Sequence, residues 1–265
     1  MGENSAISWT DHTHNRWWGC SRVSPGCGDA TGGGCYAEAW AKRMGHACFG
    51  PNKRRLFGEK HLNEPRKWAA AARAAGKKAR VFCMSMGDLL ETGHPEVEPA
   101  RESLWPLIRE TADALDWLLL TKRAENLPMI PEDVARVSWI GVTVETRKHL
   151  HRIEQLKKTS ARVRFVSAEP LLEDLGPIDL GKVGLGGVKW VICGGESGGK
   201  ARPFDLAWAR SLRDQCKAAG ISFFFKQTGR DARQGVFPLH NVGDGRDPAE
   251  WPEDLRVQEF PEVTP

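Results

Sequence analysis

The sequence predicts an α/β chain: a single-domain parallel (β/α) barrel of TIM type, complete or partly open. Three observations predict it. Short apolar runs suited to buried parallel strands recur along the chain, helical patterns stand between them, and charged or hydroxyl residues close almost every run. Strands that alternate with helices imply right-handed crossovers and a parallel sheet. Seven such runs within about 230 residues suit one partial barrel better than two domains.

The runs are Ile7–Thr10, Val81–Met86, Trp117–Thr121, Trp139–Thr143, Arg164–Ala168, Trp190–Gly194 and Ser222–Lys226. Asn63 is placed to cap a helix that has Pro65 in its first turn and ends at Gly76. Asp205 is placed to cap another, with Leu206, Ala209, Leu212 and Cys216 on one face and Gly220 after its end. Helical patterns also fit Glu98–Ala114, Ala124–Ala135 and Thr146–Lys158. The barrel is expected over residues 1–229, with a cysteine loop at 11–35. The tail at 230–265, rich in Gly, Pro and acidic residues, is expected to pack on it as an extension.

Bulk properties narrow the class. No apolar run approaches the roughly 20 residues that span a bilayer, so a membrane role is excluded at this level. Met1 to Ala6 lacks a basic segment followed by an apolar one, the pattern of a secretory signal. Seven cysteines then suggest a reducing cytoplasm, where clustered Cys means metal or catalysis more often than disulfides. Net charge of +4 is compatible with a nucleic-acid or phosphorylated partner but below that of a dedicated DNA-binding domain. Positive residues cluster at Lys53-Arg54-Arg55, Arg66-Lys67 and Lys77-Lys78-Ala79-Arg80; a solvated face explains such runs more often than a phosphate track. Of eleven Trp, Trp17 and Trp18 stand next to a cysteine and suit a lid over a bound planar group.

Cys20, Cys27 and Cys35 follow a C-x6-C-x7-C spacing on a loop of Gly, Pro, Ser and Thr. Three thiolates on one loop suit an iron–sulfur cubane that keeps one iron open to another ligand. Cys35 stands where the first helix opens, and the positive end of a helix dipole favours a thiolate. His12 and His14 lie near enough in sequence to offer imidazole to a zinc ion instead.

The strand ends supply the remaining candidates. Ser85 and Asp88, Thr121, Lys122 and Arg123, Thr143 and Glu145, Ser167 and Glu169, Glu196 and Ser197, and Lys226 and Gln227 close successive runs. In a parallel barrel all strand C-termini open on one face, where active sites are assembled. In the segment Gly194-Gly195-Glu196-Ser197-Gly198-Gly199, backbone N–H groups can approach an anion and Glu196 can receive an ammonium group. Cys83 and Cys193 fall inside strands and read as small apolar residues; His149 and His151, on a helical pattern, read as surface.

The string Trp18-Gly19-Cys20, Val23-Ser24-Pro25-Gly26-Cys27, Cys35-Tyr36-Ala37-Glu38 resembles a largely uncharacterised phage and bacterial family with a three-cysteine motif, related to the radical S-adenosylmethionine (SAM) superfamily. Leu119–Arg123, Gly141–Glu145, Arg164–Leu172, Gly194–Gly198, Ala201–Pro203 and Phe223–Gln227 resemble it in the same order, so the similarity spans residues 7–229. The family usually has two residues between its last two cysteines, whereas this chain has seven; loop-closure cost grows slowly enough with length for one cluster still to be reached.

The resemblance implies a radical-SAM-like partial barrel, a 4Fe-4S cluster on Cys20, Cys27 and Cys35, and SAM on the open iron. Tyr36, Ser85, Gly194, Gly195, Glu196 and Ser197 would then bind the cofactor, while Asp88, Lys122, Arg123, Glu145, Glu169 and Lys226 would face the substrate. The reduced cluster would donate an electron to SAM, cleaving it to methionine and a 5′-deoxyadenosyl radical that abstracts a substrate hydrogen. Its partners would be an electron donor of flavodoxin or ferredoxin type and a DNA, RNA or nucleotide substrate undergoing repair or modification. A non-enzymatic nucleic-acid-binding protein with structural zinc on the cysteines, completed by His12 or His14, is the alternative.

Overall fold

A computed structural model describes residues 2–30, 32–182, 186–235, 237–238 and 243–263. Seven strands form its main sheet: β1 (His12–His14), β2 (Ala79–Cys83), β3 (Leu115–Thr121), β4 (Trp139–Thr143), β5 (Val163–Ala168), β6 (Trp190–Gly194) and β7 (Ser222–Gln227). They lie in the sheet in their chain order, as successive β-α-β crossovers require. The seven parallel strands curl into an α/β half-barrel, the partial barrel expected from the sequence. Register is fixed by pairs such as His12 with Val81, Val81 with Trp117, Phe165 with Trp190 and Trp190 with Ser222. No helix among the described residues is long and apolar enough to cross a membrane.

The chain divides into two compact units, each with its own core. The first comprises Met1–Arg22, Ala37–Gly141 and Thr159–Arg162. Phe82, Trp117 and Leu118 of its strands are buried, as are Trp68, Ala69 and Ala72 of the helix at Glu64–Ala75. The second comprises Val23–Tyr36, Val142–Lys158 and Val163–Pro265. Phe165, Trp190, Phe223, Phe224 and Phe225 are buried there beside Leu206, Ala209, Leu212 and Cys216, one face of the helix at Leu206–Ala219. Each fully buried Phe contributes roughly 1.5–3 kcal/mol.

The first strand lies at His12–His14, not at Ile7–Thr10. Ile7 to Thr10 forms a turn, with Thr10 N–H donating to Ile7 O at 3.1 Å. The Thr10 hydroxyl then ties the turn to β2, donating to Arg80 O and accepting from Phe82 N–H. His12-Thr13-His14 is polar, so hydropathy hides it as a strand, although Thr13 and His14 are buried. The cysteine-bearing segment therefore starts beyond His14, and Trp17–Trp18 pairs with Arg55–Leu56.

Helix starts and stops follow local chemistry. Asp205 caps its helix as expected, its side chain accepting from Ala207 N–H at 2.9 Å. Asn63 does not cap; its side-chain amide donates to Glu59 O within the preceding short helix at Glu59–Leu62. The pattern at Glu98–Ala114 splits into Glu98–Glu102 and Leu104–Thr111, because Pro106 has no N–H to donate to Glu102 O. Pro128 and Pro131 divide Ala124–Ala135 in the same way, leaving a 3-10 turn and a helix at Glu132–Val137. In the second unit, residues 257–259 run along β7: Phe225 N–H donates to Val257 O at 2.8 Å and Glu259 N–H to Phe223 O at 3.0 Å. They occupy main-chain groups on an outer strand that would otherwise be open to pairing.

Candidate functional site

In the first unit, Cys20 lies between two pinned peptides. Gly19 N–H donates to Met86 O at 2.9 Å, just beyond β2. Ser21 N–H donates to Glu91 Oε1 at 2.6 Å, and Ser21 O accepts from Arg123 Nη2 at 3.0 Å. Glu91 and Arg54 form a bidentate pair at 2.8 and 2.9 Å with both side chains essentially unexposed. Arg123 reaches the same carboxylate at 3.3 Å and Asp88 at 3.0 Å. Asp88 spends its other positions on the tip of β3, accepting from the Thr121 hydroxyl at 2.7 Å and Lys122 N–H at 3.1 Å. Arg123 is held above its ordinary pKa by Asp88, then Glu91 and Cys20, against the desolvation of burial.

The second unit holds the segment carrying Cys27 and Cys35. Glu145, just past β4, is fully buried: Oε1 accepts from the Ser24 hydroxyl, and Oε2 pairs with Arg152 at 2.9 Å. Arg152 also donates to Thr143 O at 2.7 Å, which fixes the strand end. A Cβ at Gly26 would stand 2.5 Å from Glu145 Oε1, so only glycine lets the loop approach this carboxylate. Glu196, just past β6, accepts Arg202 Nε and Nη2, each at 2.9 Å, Arg202 N–H at 3.0 Å and Gly34 N–H at 3.3 Å. Arg202 extends the clamp to Pro25 O at 2.9 Å and Asp29 at 3.2 Å. Its guanidinium is held above the ordinary value, chiefly by the bond to Glu196.

Asp88, Arg123, Glu145 and Glu196, expected to face a ligand, are thus at most 6% exposed and committed to protein partners. The other candidates are placed differently. Lys226 is the extra residue of a bulge where the β7–β6 register shifts between Phe225 and Gln227. The bulge aims its ammonium at Glu169 Oε1, 2.8 Å away, and the Ser167 hydroxyl donates to Glu169 Oε2 at 3.3 Å. Lys122 is half-buried, Ser197 is half-buried and Tyr36 is exposed. The buried Ser85 hydroxyl accepts from Asn15 Nδ2 at 3.0 Å, within the first unit. Gly194 and Gly195 are buried, and a Cβ at Gly195 would meet Thr228 O at 2.3 Å. Close passage of the two strand ends requires that glycine, not the approach of a ligand.

All seven cysteines are thiols rather than disulfides; Cys27 is buried, while Cys20 and Cys35 are half-exposed. Burial raises the thiol pKa at Cys83 and Cys193 and pushes Cys216 up to about 12, as expected of cysteines packed as apolar residues. The two histidines near the loop in sequence are engaged by aromatic rings. His12 stacks on Trp68 at 4.6 Å and His14 on His61 at 4.9 Å. Trp17 is core, and Trp18 carries the Arg55 guanidinium over its ring at 4.7 Å, so neither is an open lid. Within the basic runs, Arg54 is buried against Glu91, Arg66 pairs with Glu110 and Arg80 with Asp11. His149, read as surface, is buried, its ring 3.5 Å from Glu145. Glu91, Arg54, Ser24 and Arg152 escaped sequence reasoning. Glu91 was within reach as the second acid of the Asp88-Leu89-Leu90-Glu91 strand-end segment, and Arg202 stood in the Ala201-Arg202-Pro203 string.

Solved structures of spore photoproduct lyase mutants align with this chain at low similarity. One, with bound AdoMet and dinucleoside spore photoproduct, has a TM-score of 0.47 and 10% identity over 84% of this chain and 65% of that one. Another has a TM-score of 0.48 and 10% identity over 86% and 58%. The chain thus spans less than two thirds of those proteins' length. No curated protein matches it. The matching family profile spans residues 4–253, and on that span the chain belongs to the family described as "Protein of unknown function (DUF5131)".

Proposed function

We propose that the protein is an iron–sulfur enzyme of radical-SAM type acting on a nucleotide or nucleic-acid substrate. One observation carries the reading: the segments bearing Cys20, Cys27 and Cys35 are each bonded by ionised side chains, Glu91 and Arg123 at the Ser21 peptide, Glu145 at the Ser24 hydroxyl and Arg202 at Pro25 O. A loop that served only as a surface connection would have no need of four such charges. The donor set fits a cluster: three thiols in a Gly-rich context, one of them, Cys20, in the field of the Arg123 guanidinium. A neighbouring cation favours the thiolate, the form that ligates iron.

In this reading Cys20, Cys27 and Cys35 hold a 4Fe-4S cluster, leaving one iron for SAM. When bound, the cluster, reduced by its external donor, would supply the one electron that cleaves SAM. The chain's own residues do the rest. Glu91 and Arg123 hold the Ser21 peptide, Glu145 holds Ser24, and Arg202 with Glu196 holds Pro25 and Gly34, so the thiol-bearing backbone is set before metal arrives. Lys226, aimed by its bulge and steadied by Glu169, and Lys122 at the end of β3 offer cations to substrate phosphate. In this reading Ser197 and the Gly194–Ser197 segment bind the aminocarboxylate of SAM. A flavodoxin- or ferredoxin-type donor in a reducing compartment completes the reading.

Anaerobic purification with iron and sulfide analysis, then incubation with SAM and dithionite, tests it. Four irons per chain and release of 5′-deoxyadenosine are expected. Thiol-bound zinc with no iron uptake, or iron without SAM cleavage, overturns it.

A further inference from the structure

Three buried imidazole nitrogens of the first unit lack hydrogen-bond partners: Nδ1 and Nε2 of His14 and Nε2 of His61. His14 is 0% exposed and boxed by aromatic rings, with Trp68 and Trp117 edge-on at 6.2 and 5.9 Å and His61 stacked at 4.9 Å. A buried polar atom left without a partner costs about 1–3 kcal/mol, so histidine is an expensive choice here unless something engages it. Phe or Leu would fill the same box without that cost.

A third donor stands beside them. Glu64 opens the helix at Glu64–Ala75, and its Oε2 lies 2.9 Å from His61 Nδ1. One ligand atom from each of His14, His61 and Glu64 can be chosen so that all three lie within 4.8 Å of one another. Exposure rises outward from the buried His14 to 23% for the His61 side chain and 38% for that of Glu64, which gives an ion a way in. Arg16 lies nearby, but its guanidinium is turned to Phe57 O, Gly58 O and Ser103 Oγ.

We propose that His14, His61 and Glu64 form a binding site for one divalent transition-metal ion of the zinc class, separate from the cysteines. Two imidazoles and a carboxylate make a three-ligand nitrogen–oxygen set that leaves a further position for water. The ion ties β1 to the helix pair at Glu59–Leu62 and Glu64–Ala75, three elements that are neighbours in the first unit. It engages nitrogens that the protein itself leaves unbonded.

The test uses the full chain with Cys20, Cys27 and Cys35 all changed to Ser, which removes thiol ligation. Equilibrium dialysis against Zn²⁺ should leave one zinc per chain. The Co²⁺ form should show d–d bands with no sulfur-to-metal charge-transfer band. His61→Ala and Glu64→Gln, both on the open side, should each weaken zinc binding by more than about tenfold, the loss that even an outer-shell change produces. Circular dichroism checks that each variant is folded, and Glu64→Gln decides if His61→Ala is not. Absence of zinc from the serine variant, or undiminished binding by folded Glu64→Gln and His61→Ala, overturns the proposal. Because the thiols are already gone, either result leaves the iron–sulfur reading to its own test.

Discussion

Removing the Arg202 guanidinium isolates the clamp on the second cysteine segment. Glu196 accepts two bonds from that guanidinium and two from backbone N–H groups, and the side chains of Arg202 and Glu196 are 11% and 5% exposed. Arg202→Ala leaves the carboxylate buried with its backbone donors alone. Breaking one side of such a pair costs about 3–5 kcal/mol, and the residual exposure of Arg202 places this case near 3. At roughly 2–4 °C per kcal/mol for a chain of this size, the midpoint of thermal unfolding should fall by about 6–12 °C. The double variant Arg202→Met with Glu196→Gln removes the stranded charge and should recover most of that stability. It should not recover iron uptake, because the bonds from Arg202 to Pro25 O and Asp29 are still missing. Thermal unfolding and iron content after anaerobic reconstitution are read on the same preparations. Arg202→Ala with parental stability, or a double variant that loads iron as fully as the parent, refutes the clamp.

Two further predictions concern other parts of the second unit. Gly26→Ala places a methyl 2.5 Å from Glu145 Oε1 and 2.7 Å from its Cγ, which should cost about 1–3 kcal/mol and depress iron loading; a variant matching the parent in both urea titration and iron content would sink the close-approach argument. Asp254 is held down to about 2, first by its hydrogen bond to Arg210 and then by Arg213. A depressed carboxyl stabilises the fold fully above the unfolded value near 3.8, and the contribution is lost as pH falls toward about 2. The difference in unfolding midpoint between the parent and Asp254→Asn should therefore be constant above pH 4 and close between pH 4 and 2, while a difference that widens on acidification contradicts the pairing.

The strands were legible because β2 to β7 bury apolar runs whose edges hydropathy can see; β4 and β6 fall at the expected bounds. β1 was not, because His12, Thr13 and His14 are polar residues whose burial depends on Trp68, Trp117 and His61, contributed by distant parts of the chain. The strand-end charges were legible as a set, but their partners were not. Ser24 and Glu145 are 121 residues apart, Pro25 and Arg202 are 177 apart, and Ser21 and Glu91 are 70 apart. Nothing local marks Ser24 or Arg152 as special, since serine in a turn and arginine on a helix are ordinary. Composition reported the charges, and only the fold reveals that they point at a loop.

That direction explains why charge, rather than apolar packing, fixes the cysteine segments. Residues 20–35 are largely Gly, Ser, Pro and Thr around the thiols, and Val23 is 43% exposed. Such a loop has almost no side chain with which to join a hydrophobic core, but it has a carbonyl and, except at proline, an N–H at every residue. Buried Glu and Arg are suited to those groups, since hydrogen bonds to ionised partners are about twice as strong as neutral ones. The arrangement also resists drift. A well-packed apolar substitute can match a buried ion pair in stability, but separating the pair exposes both members to a cost of several kcal/mol. The backbone at Ser21 and Gly34 is thus bonded by Glu91 and Glu196 with no metal present, so on the proposed iron–sulfur reading amide exchange at both should be slow in metal-free protein. Fast exchange at both would mean that metal, and not Glu91 and Glu196, builds the site.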